Sequence, residues 1–267
     1  MNKFKDIILF IYRLNWKIKL LGLFLALFFI FLVTIAVAPL HKMREFENLV
    51  QSDSLFLEKY GDSYNQAEMM PLVKEKAYKE ALLKLSESDS IQLVINLSDS
   101  TVNLSIKGVM IHQTKAGSID RDRLLSEMPL IQQVKMFSEP LNVQSEYATI
   151  VKEPVVVRQA PKDTLEAALN AWQPDTLIQK PAFMILSADH GIDIILQQEN
   201  NPEFRDKWKK FNFNNRLRMK GTLQSVYAFV TLKKQDYHPG ITIKLPADDL
   251  RAIYRALPDH TLIVITL

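Results

Sequence analysis

Between Lys19 and His41 the chain carries no charged side chain, and Leu20 to Ala38 is almost entirely Leu, Phe, Ile, Val and Ala. As a helix that run spans roughly 28 Å at about 1.5 Å per residue, which matches a hydrocarbon core. Thr34 is polar inside it, and its hydroxyl can bond back to a carbonyl of the preceding turn. A buried core helix would show a polar face. A cleavable signal would have a shorter apolar stretch before a small-x-small site, a pattern that Ala36-Val37-Ala38 imitates, but the length of the run predicts a retained transmembrane helix over residues 20–38.

From His41 to Ser88 the pattern stays helical and turns polar. Met43, Phe46, Val50, Leu57, Tyr60 and Tyr64 recur at threes, fours and sevens, a narrow apolar stripe on a charged helix. Pro71 breaks it, and a second amphipathic stretch runs from Leu72 to Leu85. The stripe predicts a helical stalk over 39–88 that either pairs with another helix or lies against its own domain. Heptads neither strict nor long give the coiled coil no preference.

At Ser86 to Ser90 the period changes from helical to strand-like. Ile91 to Leu97 is a tight apolar run, Thr101 to Ile106 alternates, Lys107-Gly108 turns, and Val109 to Thr114 follows, which predicts a β-meander. Further strands are expected at Tyr147 to Arg158, Ala182 to Ala188, Ile192 to Gln197, Arg216 to Lys233, Gly240 to Leu245 and Thr261 to Leu267. Helical patterns stand at Lys162 to Trp172, Pro202 to Phe211 and Ala247 to Leu257. The domain over 89–267 is thus expected to be mainly β with a few helices.

Charge gives the expected orientation. Lys3, Lys5, Arg13, Lys17 and Lys19 precede the apolar run against the single acid Asp6, whereas His41, Lys42 and Arg44 beyond it are soon met by Glu45 and Glu47. The positive-inside rule keeps residues 1–19 in the cytoplasm and sends the rest across. Phe4, Ile7, Ile8, Ile11 and Leu14 at helical spacing would rest on the inner surface, with Trp16 at the headgroups. In a bacterium this is a single-pass inner-membrane protein with its domain in the periplasm or outside the cell.

The net charge of +3 in 267 residues is spread along the chain and calls for no nucleic acid. The chain has no cysteine, which removes disulfides, thiolate metal sites and thiol catalysis together. Its five histidines, His41, His112, His190, His238 and His260, lack paired spacing and an accompanying carboxylate cluster, so neither metal nor cofactor is expected. Asp248-Asp249 after Leu245-Pro246 reads as the acidic first turn of a helix. Trp208 among Arg205, Lys207, Lys209 and Lys210 reads as a solvated amphipathic helix before an anionic-ligand site.

Two stretches resemble a known family. Ile91-Gln-Leu-Val-Ile-Asn-Leu-Ser-Asp-Ser-Thr-Val-Asn-Leu-Ser-Ile-Lys-Gly-Val-Met-Ile111 resembles the opening hairpins of the L,D-transpeptidase catalytic domain, the peptidoglycan cross-linking fold. Lys244-Leu-Pro-Ala-Asp-Asp-Leu-Arg-Ala-Ile-Tyr-Arg-Ala-Leu-Pro-Asp-His-Thr-Leu-Ile-Val-Ile265 is similar to the closing helix and strand of that domain. The resemblance covers roughly residues 90–267 at both ends, with a diverged middle, and implies an L,D-transpeptidase-like β-sandwich.

It also implies where the chemistry would stand, and there this sequence departs. The family's Ser/Thr-His-Gly-Cys motif falls on Pro239, Gly240, Ile241 and Thr242, so a threonine stands for the nucleophile. A threonine hydroxyl is far too weakly acidic to replace a thiol without a strong base beside it. Sliding by two residues brings His238 to the histidine position but leaves Pro239 and Gly240 for glycine and cysteine. The family's second histidine falls near Ile195, and its early T-P-x-G turn is reduced to Glu139-Pro140-Leu141.

The resemblance therefore implies a pseudoenzyme. Its remnant cleft would be lined by His238, Thr242, Lys244 and His190, its degenerate catalytic positions are Thr242 and Ile195, and its expected work is binding peptidoglycan or envelope proteins. An assembly-platform subunit of a pilus or secretion machine is the alternative, because such subunits also join one anchor to a stalk and a small α/β domain. A weakly active hydrolase or transferase using Thr242 or His238 comes third.

Overall fold

The computed structural model describes residues 15–60, 69–152, 181–200, 204–231 and 233–266. The helical pattern expected over 162–172 lies outside them, as do Tyr64 and most of the amphipathic segment before Trp16. The chain divides into two compact units, one of residues up to Asn48 with Arg216–Tyr237, the other of Leu49–Asn215 with His238–Leu267.

In the first unit the apolar run is one continuous helix, α1 (Trp16–Gln51). It is long and apolar enough to cross a membrane, and none of its apolar window is buried. Thr34 Oγ1 donates to the Phe31 carbonyl at 2.7 Å, the local bond expected of a hydroxyl in such a run. Pro39 stands inside the helix and lacks the N–H that would meet the Ile35 carbonyl, a defect placed where the apolar run ends. Burial begins at Ala38 and returns at Lys42 and Phe46, one turn or two apart on one face.

The stripe from His41 onward does not run unbroken to Pro71. The helix ends at Gln51, and Asp53 Oδ1 accepts from the Phe56 N–H at 3.0 Å to open the short α2 (Ser54–Tyr60). Pro71 sits in the first turn of α3 (Met70–Leu85), where a missing N–H costs nothing. Of the two roles open to the amphipathic stretch over 72–85, lying against the domain is the one α3 takes. Val73 and Ala77 pack on Leu130 and Val134, and Ala81 and Leu85 pack on Val94 and Val264.

In the second unit nine strands form one mixed sheet: β1 (Gln92–Asn96), β2 (Thr101–Ile106), β3 (Val109–Lys115), β4 (Ser118–Arg121), β5 (Leu141–Ala148), β6 (Phe183–Ala188), β7 (Asp193–Gln198), β8 (Gly240–Leu245) and β9 (Leu262–Thr266). Their order is β3-β2-β1-β9-β5-β6-β7-β8-β4. The opening meander forms as expected, with Lys107 and Gly108 both at positive φ, 50° and 76°, in the two-residue turn that suits a twisted hairpin. β1 and β9 are parallel neighbours, as are β7 and β8, and the other pairs are antiparallel.

The outermost strands of that order, β3 and β4, are separated in the chain by Ala116 and Gly117 alone. The Ala116 N–H donates to the Ser100 carbonyl at one edge, and the Gly117 N–H donates to the Lys244 carbonyl at the other, at 2.8 and 2.9 Å. The sheet therefore curls until its two edges share one segment. β5 turns the opposite corner, pairing with β9 through Leu141 and Asn142 and with β6 from Val143 onward. Inside lie Leu93, Ile95, Leu196, Ile241, Ile243, Leu245 and Ile263, all fully buried.

Helices α4 (Arg123–Ser126), α5 (Leu130–Phe137), α6 (Phe204–Val230) and α7 (Ala247–Ala256) complete the described elements, and from residue 89 onward strands and helices hold nearly equal shares of the described residues. The domain expected to be mainly β with a few helices is a nine-stranded mixed sheet with helices. α7 has Asp248 and Asp249 in its first turn, as read, and buries Leu250, Ile253 and Tyr254. Two expected strands are corrected. The strand expected over 147–158 begins earlier and ends at Ala148, and residues 153–158 lie outside the described residues. Residues 216–230 are helix, not strand: Met219, Leu223, Val226, Tyr227 and Val230 follow a helical period, which overrides the β preference of Val226 to Phe229.

Candidate functional site

Register places the residues singled out from the sequence. On one face of the sheet, β8 presents Gly240, Thr242 and Lys244 while Ile241, Ile243 and Leu245 point into the core. β7 lies parallel to it, with Asp193 opposite Gly240, Ile195 opposite Thr242 and Gln197 opposite Lys244. On the other side of β8, Asp120 of β4 faces Thr242 and Ser118 faces Lys244. Thr242 and Ile195, far apart in the chain, are thus cross-strand neighbours on strands about 4.8 Å apart.

His238 stands just before β8. Its Nδ1 lies 3.8 Å from Asp193 Oδ1, too long for a hydrogen bond and close enough for attraction when the ring is protonated. Asp193 Oδ1 is shielded from solvent and makes no hydrogen bond. His190 is exposed in the turn between β6 and β7, held at a φ of 59° in Asp189–Gly191. Because β7 and β8 run parallel, His190, Asp193, His238 and Gly240 gather at one end of this face, with Gln197 and Lys244 at the other.

The first part of α6 crosses the face at its far end. Phe213 is buried between Tyr147 and Phe183, with ring centroids 5.9 and 5.7 Å away, and Gln197 Nε2 donates to Asn214 Oδ1 at 3.4 Å. Phe183 is the register partner of Gln197, so helix and face meet there. The face is then a strip with a helix over one end and two imidazoles and a carboxylate at the other.

Chemically the strip offers polar and ionic contacts around Thr242. Thr242 has an aliphatic side chain on one flank and a carboxylate on the other. The three-part arrangement that activates a hydroxyl, with an oriented imidazole beside it, is not formed by its register partners. Among the described residues no three His, Asp or Glu side chains are grouped so as to hold a metal ion. Glu139, in the reduced turn, is taken up by Lys84 of α3, whose ammonium holds the carboxyl below the usual glutamate range.

Two polar clusters escaped the sequence reading. Lys152 Nζ reaches Glu146 at 2.8 Å and Asp259 at 3.2 Å and stands 5.1 Å over the Tyr254 ring. Burial disfavours its ammonium, but the hydrogen bonds to Glu146 and Asp259 outweigh that and raise its pKa. The same burial raises that of Tyr254. Thr114 Oγ1 donates to Asp249 Oδ2 at 2.7 Å, with His112 Nε2 3.6 Å from the other carboxylate oxygen. Neither cluster leaves a trace in local sequence, because its members come from strands and helices far apart in the chain.

Comparison with family models, with characterised proteins and with solved structures finds no match to this chain.

Proposed function

We propose that this protein is a membrane-anchored, non-catalytic binding or scaffold module of the bacterial cell envelope, built on an L,D-transpeptidase-like sheet that has lost its chemistry. In this reading α1 spans the inner membrane, the basic amino-terminal flank stays in the cytoplasm, and the sheet unit stands in the periplasm or outside the cell. The strip over β7 and β8 is a remnant cleft in which Lys244, His238, Thr242 and His190 meet a peptidoglycan stem peptide or an envelope protein. The anchor has its own rationale here, since a binder that performs no reaction works by where it is held.

One observation carries the reading. The positions at which the family resemblance calls for nucleophile and base, Thr242 and Ile195, are register partners on adjacent strands, side by side as a cooperating pair has to be. In this reading the place for the chemistry is kept and the chemical groups are gone. The rival reading as a pilus or secretion platform subunit expects a ferredoxin-like domain with two βαβ-type repeats, and an opening three-stranded meander within a nine-stranded sheet weighs against that.

The test is co-sedimentation of the detergent-solubilised full chain with purified peptidoglycan sacculi. Sedimentation above a detergent-only control, weakened when His238 and Lys244 are both replaced by alanine, supports the peptidoglycan branch. A chain that stays in the supernatant but returns with stoichiometric membrane partners on purification moves the reading to protein scaffolding. Measurable release or transfer of stem peptides, abolished in Thr242→Ala, overturns the non-catalytic assignment.

A further inference from the structure

Helix α6 presents its apolar side the wrong way for a water-soluble surface. From Arg216 onward it belongs to the same compact unit as α1. There Met219, Leu223, Val226, Tyr227 and Val230 form one stripe at helical spacing, and all five are exposed, Val230 by 73%. The residues that this stretch buries are small, Ser225 and Ala228, on the opposite side. A helix laid on a protein in water turns its large apolar residues inward, and one beside lipid does the reverse, with small residues at the helix contact.

The depth of the stripe follows from its contacts. The Phe229 ring meets the Phe31 ring edge to face with centroids 5.5 Å apart. Phe31 lies inside the uncharged run that ends at His41, about 15 Å along α1 from that end at 1.5 Å per residue. Phe229 meets Phe31, and the chain after α6 folds back along it, Gln235 to Ser225, with Lys234 reaching Glu45, so the earlier turns of α6 lie toward Glu45 and the two helices run antiparallel. About 15 Å back along α6 from Phe229 is Met219, beside the exposed Arg218 and Lys220. The basic residues of α6 are therefore level with His41, where α1 itself regains charge.

The end of α6 is finished in the manner that a site away from water demands. Thr231 Oγ1 donates to the Tyr227 carbonyl at 2.7 Å, the Lys233 N–H donates to the Ala228 carbonyl at 2.9 Å, and Gln235 Nε2 donates to Ser225 Oγ at 2.5 Å. Lys233 Nζ lies 5.7 Å from the centroid of the Tyr227 ring, a cation over an aromatic face. Lys234 Nζ is 3.6 Å from Glu45, beyond His41, so the returning chain regains the level of charged groups within a few residues.

From these placements we infer that residues 216–230 of α6 enter the membrane leaflet on the His41 side of α1, with Met219, Leu223, Val226, Tyr227 and Val230 against lipid acyl chains. The inference rests on the reading of α1 as a membrane anchor. The protein then holds the bilayer at two places, a spanning helix and a half-depth hairpin arm.

A chain without cysteine makes the test direct. Single variants Val230→Cys, Val226→Cys, Lys220→Cys, Leu27→Cys and Lys115→Cys of the full chain, nitroxide-labelled and reconstituted in phosphatidylcholine and phosphatidylglycerol vesicles, are compared for collision with oxygen and with a water-soluble nickel chelate. The expected result is nickel accessibility several-fold lower at 226, 230 and 27 than at 115, with high oxygen accessibility, and an intermediate value at 220. Lipid-like values at 27 with water-like values at 226 and 230 overturn the inference and leave the anchor standing. Water-like values at 27 remove the anchor and the inference with it. Shielding of 226 and 230 from both reagents assigns the stripe to a protein partner such as a second copy, and overturns the inference too.

Discussion

The two units bury opposite things. In the sheet unit the large side chains are inside: Phe183, Leu196, Ile243 and Ile263 are fully buried. In the helical unit Phe24, Phe28, Phe29 and Leu23 stand outside; within the uncharged run and residues 216–230 what is buried is Ala38, Ser225 and Ala228, and a large side chain, Phe46, is buried only beyond His41. Same chemistry and inverted placement fit different solvents, water for the sheet unit and, on the proposed reading of α1 as an anchor, lipid for the helical one. Water drives the first arrangement, since each apolar Å² removed from it is worth about 25 cal/mol. Lipid as apolar as the side chains leaves the second to close packing and to the need for satisfied backbone groups.

The sharpest way to break the comparison is to place charge on the inverted surface. Leu27 and Ile30 are about half exposed and belong to an apolar window with no buried residue, so in water replacing them would disturb no packing. In a bilayer each arginine near the centre of a span costs about 2.5–3.5 kcal/mol on the insertion scale, so the pair costs about 5–7. We expect the Leu27→Arg, Ile30→Arg chain to shift from the carbonate-resistant membrane fraction to the soluble or aggregated fraction, while the thermal transition of its sheet unit is unchanged. Membrane retention equal to that of the parent chain would show that this surface does not meet lipid.

Core truncation in the sheet unit comes next. Phe183 packs on Phe213, which in turn stacks on Tyr147, and has no exposed surface; Phe→Ala in such a site costs about 3–5 kcal/mol. The matching change in the other unit, Phe24→Ala, removes a side chain that stacks on Phe28 and is otherwise outside. Urea unfolding in detergent, followed by circular dichroism, is expected to show a large loss for Phe183→Ala and almost none for Phe24→Ala. Equal losses would mean that the helical unit has a water-type core of its own.

The same contrast explains what could be read from the chain. The apolar run, the opening meander and the strands β7 and β8 were legible because each is set by a local period: no charge for a whole span, or strict alternation around turn residues such as Lys107-Gly108. α7 declared itself through Asp248, Asp249 and the apolar residues one turn on. Residues 216–230 were misread because Val226 to Phe229 has strand composition, and only the neighbouring α1 gives a helix there a reason to show its apolar side. β4, α4 and α5 are short, and their periods are too brief to register. Curling of the sheet depends on Ala116 and Gly117 bonding to opposite edges, which no local pattern encodes.

The candidate face was legible in part for a related reason. Parallel pairing of β7 and β8 makes Thr242 and Ile195, singled out separately in the sequence, cross-strand neighbours. His190 and His238 share an end of the face through the same pairing. The Lys152 cluster was illegible, since Glu146, Tyr254 and Asp259 reach it from separate elements.

The smallest effect concerns the ion pairs that the sheet unit turns to water. Lys84 of α3 donates to Glu139 at 2.5 Å across the start of β5, and that bond is the main cause of the lowered carboxyl pKa. A carboxyl whose folded pKa is depressed adds stability in full above its ordinary range, near 4.3, and loses it as pH falls through the folded value. Both side chains are about half exposed or more, so screening keeps the contribution within about 0–1 kcal/mol. Stability lost between pH 7 and pH 3 should thus be smaller for Glu139→Gln than for the parent chain, by no more than that amount, in urea midpoints of the sheet unit. Membrane retention should not change over the same range, because no titrating group stands on the apolar surface of α1. An acid-induced release from the membrane would tie the two units together through charge and break the division drawn between a unit held by water and a unit held by lipid.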